Sequence, residues 1–165
     1  MNNLYKFEKI DGKGFGCIAL KDIKKGTLIL EEKPQCACVN DIGSEEKWTS
    51  ELFSRLLKNF YTMSPSDQSE FLKLHTSNGF SKEELGRKIN LASLEDHFIN
   101  DISLKIYGIY ETNKFNKGVA IRASRFNHSC VANAENVWNH NDSRIEFKAS
   151  KKIKKGEEIT INYLR

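Results

Sequence analysis

An α+β architecture, with β structure at both ends of the chain and a helical insertion between them, follows from three observations. Short apolar runs punctuated by glycine fill the first 40 residues and return after residue 117. The middle carries apolar residues at helical spacing, and it also holds the helix-start chemistry of Ser64-Pro65 and Ser81-x-x-Glu84. At 165 residues the chain is one domain's worth, so residues 1–165 are read as a single domain. Its parts are an N-terminal β part (1–40), a helical insertion (41–117) and a C-terminal β part (118–165).

The first β signals are Phe15 to Leu20 and Thr27 to Glu31, two strands joined by a lysine-rich turn ending in Gly26. In the insertion, Trp48, Leu52, Leu56 and Phe60 recur every four residues, with Phe53 and Leu57 widening the stripe and Glu45 and Glu46 at the favourable N-terminal end. Ser64, Pro65 and Asp67 supply a cap, a first-turn proline and an early acid for a second helix that should stop near Gly79. Ser81 and Glu84 form a capping box for a third. A fourth runs through Leu94, Phe98, Ile102 and Ile109 to about Asn113. Strands are expected again at Gly118 to Ala123, Arg144 to Ala149, which alternates apolar and polar, and Glu158 to Tyr163.

One internal echo links the two ends. Residues 19–29 (ALKDIKKGTLI) resemble residues 149–159 (ASKKIKKGEEI), each a strand, a turn and a strand. Gly26 and Gly156 provide a positive φ at the turn exit, and Ile23 and Ile153 turn one apolar side chain inward. Two copies do not make a solenoid.

Composition narrows the function classes. The first ten residues hold no signal-peptide core, and no run of about 18 apolar residues occurs, so a soluble intracellular protein without membrane contact is expected. Cys17, Cys36, Cys38 and Cys130 lack paired C-x-x-C spacing and read as reduced thiols. A net charge of +4 comes from lysines scattered among glutamates, with no basic stripe interleaved with aromatics, so direct nucleic-acid binding is not expected.

Three segments carry chemistry. Gly12-Lys13-Gly14-Phe15-Gly16 opens a strand where missing Cβ atoms permit close backbone approach, and its spacing does not fit a dinucleotide fingerprint. Arg125-Phe126-Asn127-His128-Ser129-Cys130 offers donors and acceptors suited to a heterocycle edge, with Ser129 able to cap a turn. His128 and Cys130 as base and thiolate lack a third orienting group in sequence. Zinc on those two with His140 lacks a fourth ligand, so no metal is expected and Cys130 reads as a buried, inert thiol. Gly156-Glu157-Glu158-Ile159-Thr160-Ile161-Asn162-Tyr163 delivers a tyrosine on a strand.

In this order, and separated by a helical insertion, the three segments closely resemble the signature of SET-domain methyltransferases. Asn113-Lys114-Phe115 also resembles an element of the SMYD-like branch, whose SET domain carries a long insertion. The resemblance covers Gly12 to Glu32 and Glu111 to Tyr163. It implies a mostly β SET fold in which the asparagine-histidine and tyrosine segments lie side by side in a pseudoknot. It implies S-adenosyl-L-methionine (AdoMet) as cofactor, with Lys13, Gly14, Phe15 and Gly16 at its methionine end, Asn127 and His128 at its adenine and amino groups, a polar contact from Asn113, and Tyr163 facing the methyl group as the catalytic residue. The implied activity is lysine N-methylation of a protein substrate, a histone tail among the candidates, in the nucleus or cytoplasm. A catalytically silent SET module serving as a protein-interaction scaffold is the alternative. Residues 41–113 hold no cysteine, so the zinc MYND module of that branch is absent from the insertion, and the chain ends two residues after Tyr163 with no post-SET segment. A second subunit or a further C-terminal segment would then complete the site.

Overall fold

The computed structural model describes residues 4–36, 49–76, 81–89, 99–115 and 118–163, with the side chain at 88 excepted. In chain order they form strands β1 (Tyr5–Ile10), β2 (Gly14–Ala19) and β3 (Leu28–Glu32) and helices α1 (Ser50–Tyr61), α2 (Pro65–Phe71), α3 (Lys82–Lys88) and α4 (Asp101–Asn113). Strands β4 (Lys114–Phe115), β5 (Gly118–Val119), β6 (Ala134–Asn139), β7 (Arg144–Ala149) and β8 (Glu158–Ile159) follow. Two compact units emerge: a β unit, Met1–Lys33 with Arg122–Arg165, and a largely helical unit, Pro34–Ile121.

The β unit contains two three-stranded antiparallel sheets, ordered β1-β2-β8 and β3-β7-β6. The alternation read in Arg144 to Ala149 is the central strand β7, whose Ile145, Phe147 and Ala149 are buried. Phe126 is fully buried at the hub of an aromatic cluster, with its ring 5.9 Å from Tyr5, 5.9 Å from Phe7 and 4.7 Å from Phe147.

The two echoing turns pair with each other. Ile23 and Ile153 are both buried and exchange backbone hydrogen bonds of 2.8 and 2.9 Å. Gly26 N donates to Ala149 O, and Gly156 N to Ala19 O, each at 2.8 Å, so every turn closes on the strand that precedes its copy. The positive φ expected at both glycines is present, at 83° and 85°.

The final segment runs between two neighbours. Ile159 pairs antiparallel with Cys17 of β2, and two residues later Ile161 pairs parallel with His128. Asn133, nearly buried, donates to Glu158 O (2.8 Å) and accepts from Thr160 N (2.9 Å), fastening the crossing. The two motif segments therefore lie side by side, as a pseudoknot requires.

The helical unit has its own core. Helix α1 is capped by Thr49 and buries Phe53, Leu56, Leu57 and Phe60, which pack with residues such as Phe71 of α2, Leu85 of α3 and Ile106, Tyr107 and Ile109 of α4. The expected Ser64 and Ser81 caps both form, accepting from Asp67 N and Glu84 N. Among the described residues no helix is long and apolar enough to cross a membrane.

Several elements differ from the sequence reading. Strands β1 and β6 were not expected; both are edge strands, and β6 is rich in Asn and Glu, so pairing along β7 overrides weak intrinsic preference. The strand expected over Gly118 to Ala123 stops at Val119, and a 3-10 turn covers Ala123–Arg125. The Glu32 carboxylate accepts from Arg122 N and Ala123 N (3.1 and 2.9 Å), holding that backbone in a turn. The strand expected over Glu158 to Tyr163 is only Glu158–Ile159, because the chain changes partner there. Helix α2 ends at Phe71, where Leu72 N divides its bond between Gln68 O and Glu70 O. Helix α4 begins at Asp101 behind an Asn100–Ser103 capping box, and Ile102 is exposed while Ile106 and Ile109 are buried. Cys38, Glu45, Glu46, Trp48, Gly79, Leu94 and Phe98 lie outside the described residues.

Candidate functional site

In the β unit, β1 and β2 form a hairpin whose loop brings Lys13 forward, with Gly12 and Gly14 at φ of 71° and 73°. Gly14 is needed for its backbone, since nothing lies within 4 Å of where its Cβ would be. Gly16 is needed for space. A Cβ there would stand 2.3 Å from Ile10 Cδ1, 2.8 Å from Asn127 Nδ2 and 2.9 Å from Glu158 Oε1. Phe15 is half exposed, with the Arg125 guanidinium 5.2 Å from its ring centre.

Asn127 Nδ2 donates to Glu158 Oε1 (2.7 Å), and Lys13 Nζ pairs with Glu158 Oε2 (3.0 Å). Glu158 therefore joins the glycine loop, the asparagine-histidine segment and β8. Sequence reasoning missed it, along with Asn133; an acid beside another acid on a strand has no pattern that marks it.

His128 Nδ1 accepts the backbone N–H of Tyr163 (3.1 Å), and the two rings stand 5.3 Å apart. A nitrogen that accepts cannot carry the proton, so the neutral imidazole bears it on Nε2. That nitrogen is 3.4 Å from Cys130 Sγ, placing an N–H donor, not a base, against the sulfur. Cys130 is exposed, which corrects the expectation of a buried thiol: Ser129 Oγ takes the Val131 N–H (3.1 Å) and turns the chain outward. The inert thiol is instead Cys17, fully buried in β2 and shifted far up by desolvation.

The Tyr163 hydroxyl donates to Phe126 O (2.6 Å). Although 58% of the residue is exposed, this hydrogen bond is partly buried. That desolvation, and secondarily the Glu158 charge, raises its pKa above that of an ordinary phenol. Tyr163 therefore stays a neutral phenol whose proton points at Phe126 O, leaving its oxygen lone pairs to accept.

The structure thus brings Lys13, Gly14, Phe15, Gly16, Asn127, His128 and Tyr163 into one unit. Asn113 belongs to the helical unit, where it ends α4 and its amide donates to His75 O (2.6 Å) and Ile109 O (2.8 Å). An open groove of about 370 Å³ beside Cys130, Val131, Glu135 and Asn162 includes none of the expected site residues. Among the described residues no three His, Cys, Asp or Glu side chains gather as a metal site.

A family model for the SET domain matches residues 14–164. The chain belongs to the SET-domain family. It is 30% identical over 172 residues to a SET domain-containing protein of Acanthamoeba polyphaga mimivirus, covering 94% of this chain and 65% of that protein. It is 31% identical over 145 residues to a SET and MYND domain-containing protein of Dictyostelium discoideum (87% and 33%), which agrees with the SMYD-like branch. It is 25% identical over 168 residues to the histone-lysine N-methyltransferase set5 of Schizosaccharomyces pombe (98% and 42%). This SET chain therefore spans between one third and two thirds of the length of these relatives. Its fold also matches the crystal structure of the SET domain of LSMT bound to lysine and AdoHcy, with a TM-score of 0.60 at 18% identity, covering 98% of this chain and 49% of that one.

Proposed function

We propose that this SET chain transfers a methyl group from AdoMet to the side-chain amine of a protein lysine, a histone among the candidate substrates, in the nucleus or cytoplasm. The observation that carries the reading is the crossing of His128 and Ile161, which sets the asparagine-histidine segment against a tyrosine tied by both its amide and its hydroxyl. The residues fit the cofactor. A side chain at Gly16 would displace the ends of Ile10, Asn127 or Glu158, the Asn127 amide is oriented, and Lys13 offers a cation suited to a carboxylate. Further support comes from the S. pombe relative named a histone-lysine N-methyltransferase and from the LSMT SET domain crystallised with lysine and AdoHcy.

AdoMet supplies a sulfonium methyl when bound. Its transfer to a lysine amine, already stripped of one proton to solvent, would leave a neutral thioether and a methylated ammonium. Making a lysine neutral at pH 7 costs roughly 4 to 5 kcal/mol from its unperturbed pKa. An apolar approach beside a positive sulfur would lower that cost without a protein base. Tyr163 then works by alignment: with its proton given to Phe126 O, its oxygen can accept from the amine or the polarised methyl.

A labelled methyl-transfer assay on histones and whole-cell extract tests the reading. Incorporation into protein lysine that stops with Tyr163→Phe supports it, and AdoMet binding without transfer to any lysine refutes it. The exposed face of Tyr163 favours a second reading, a silent SET module that binds partners, or one whose lysine channel is completed by a second subunit or a further segment. Transfer that appears only on dimerisation, or only in a longer form of the chain, separates these.

A further inference from the structure

Glu158 sits where three site segments meet, and it acts directly on the Asn127 amide. A carboxylate only accepts hydrogen bonds. With Oε1 2.7 Å from the Asn127 amide, it forces Nδ2 to face it, and Oδ1 must turn the other way. Among the described residues Asn127 Oδ1 takes no hydrogen bond, so an acceptor of fixed direction is left available. The other carboxylate oxygen is held by Lys13, and the strand position is held from behind by Asn133 on Glu158 O. A Cβ at residue 16 would meet both Asn127 Nδ2 and Glu158 Oε1, so a side chain there would push this pair out of place.

We infer that Glu158 is a positioning residue that locks the Asn127 amide so that Oδ1 selects an ammonium, making this edge of the site a reader of the amino-acid amine of the cofactor. This rests on the AdoMet reading above. An amide free to flip would offer either a donor or an acceptor and would discriminate poorly; a locked, polarised amide offers the acceptor alone. Glu158→Gln is isosteric but can either accept from Asn127 Nδ2 or donate to Oδ1, so it unlocks the pair while preserving shape.

Calorimetry with two probes, S-adenosylhomocysteine and its deaminated analogue lacking the α-amine, tests the inference on the full chain. In the parent, loss of the amine weakens binding at least tenfold. In Glu158→Gln, S-adenosylhomocysteine weakens at least fivefold while the deaminated analogue changes less than twofold, so that the gap between the probes narrows to threefold or less. Asn127→Ala, which deletes the acceptor and leaves Glu158 in place, narrows the gap in the same way and does not depend on the Gln variant folding. Equal weakening of both probes in either variant overturns the inference and leaves Glu158 as a brace. No S-adenosylhomocysteine binding by the folded parent overturns the cofactor reading itself, and the role of Glu158 with it.

Discussion

Tyr163 is largely exposed, yet its hydroxyl makes a partly buried hydrogen bond, and that bond decides what substitutions there report. Tyr163→Phe retains the packed ring and the amide bond to His128 Nδ1, and it removes one partly buried hydrogen bond worth about 1 kcal/mol. Fold and cofactor affinity should therefore change little, while on the proposed alignment role of the hydroxyl methyl transfer falls well over tenfold. Equal single-turnover rates for parent and variant would remove Tyr163 from the mechanism. Gly16 makes the opposite case, a residue that matters for what it lacks. Gly16→Ala forces Glu158 or Asn127 aside and should weaken S-adenosylhomocysteine binding at least tenfold in calorimetry with the melting temperature nearly unchanged. The neighbouring Gly14 is held for its positive φ, so an alanine there should lower stability first.

At the level of elements, the paired turns are the main support of the β unit. Asp22 on one turn accepts the backbone N–H of Lys155 on the other at 3.0 Å and meets Lys152 Nζ at 3.1 Å. That backbone bond first, and Lys152 second, hold its carboxyl below the usual carboxylate range. A depressed folded pKa stabilises above the unfolded value and stops doing so as pH falls through the folded one. Asp22→Ala should lower the urea midpoint at pH 7, and the difference from the parent should vanish well below pH 4; a gap that persists at pH 2 would show that the carboxylate charge is irrelevant. The echo between residues 19–29 and 149–159 was legible in the sequence as two similar turns, but their mutual pairing was not, because it joins residues about 130 positions apart. The same limit hid Glu158 and Asn133, whose partners lie on other segments, and β6, whose Asn-rich composition pairs only because β7 is there. Glycine φ values, the Ser64 and Ser81 caps, the buried alternation of β7 and the closeness of Asn127, His128 and Tyr163 were legible, since each follows from local chemistry or from the motif itself. Cys130 was misread because burial of a thiol depends on where the Ser129 turn sends the chain.

Across the whole molecule, two units with separate cores share one chain, and all but one of the expected cofactor contacts belong to the β unit. A ligand that binds only the folded state stabilises it by about 2.7 kcal/mol at a hundred times its dissociation constant. For a domain of this size each kcal/mol moves the melting temperature by roughly 2 to 4 °C, so saturating S-adenosylhomocysteine should raise it by roughly 5 to 10 °C. Two cores make strict two-state melting an assumption, and hydrogen exchange resolves where the stabilisation falls. Amides of the β1–β2 loop and of residues 127–130 and 158–163 should slow on ligand addition, because Lys13, Asn127 and His128 are held by bonds that converge on Glu158 and Tyr163. Asn127→Ala should shrink both the temperature shift and this protection together. A shift that survives Asn127→Ala in full, or slowed exchange that bypasses these segments, would mean that the ligand is bound elsewhere and that the cradle at Gly16 serves the fold alone.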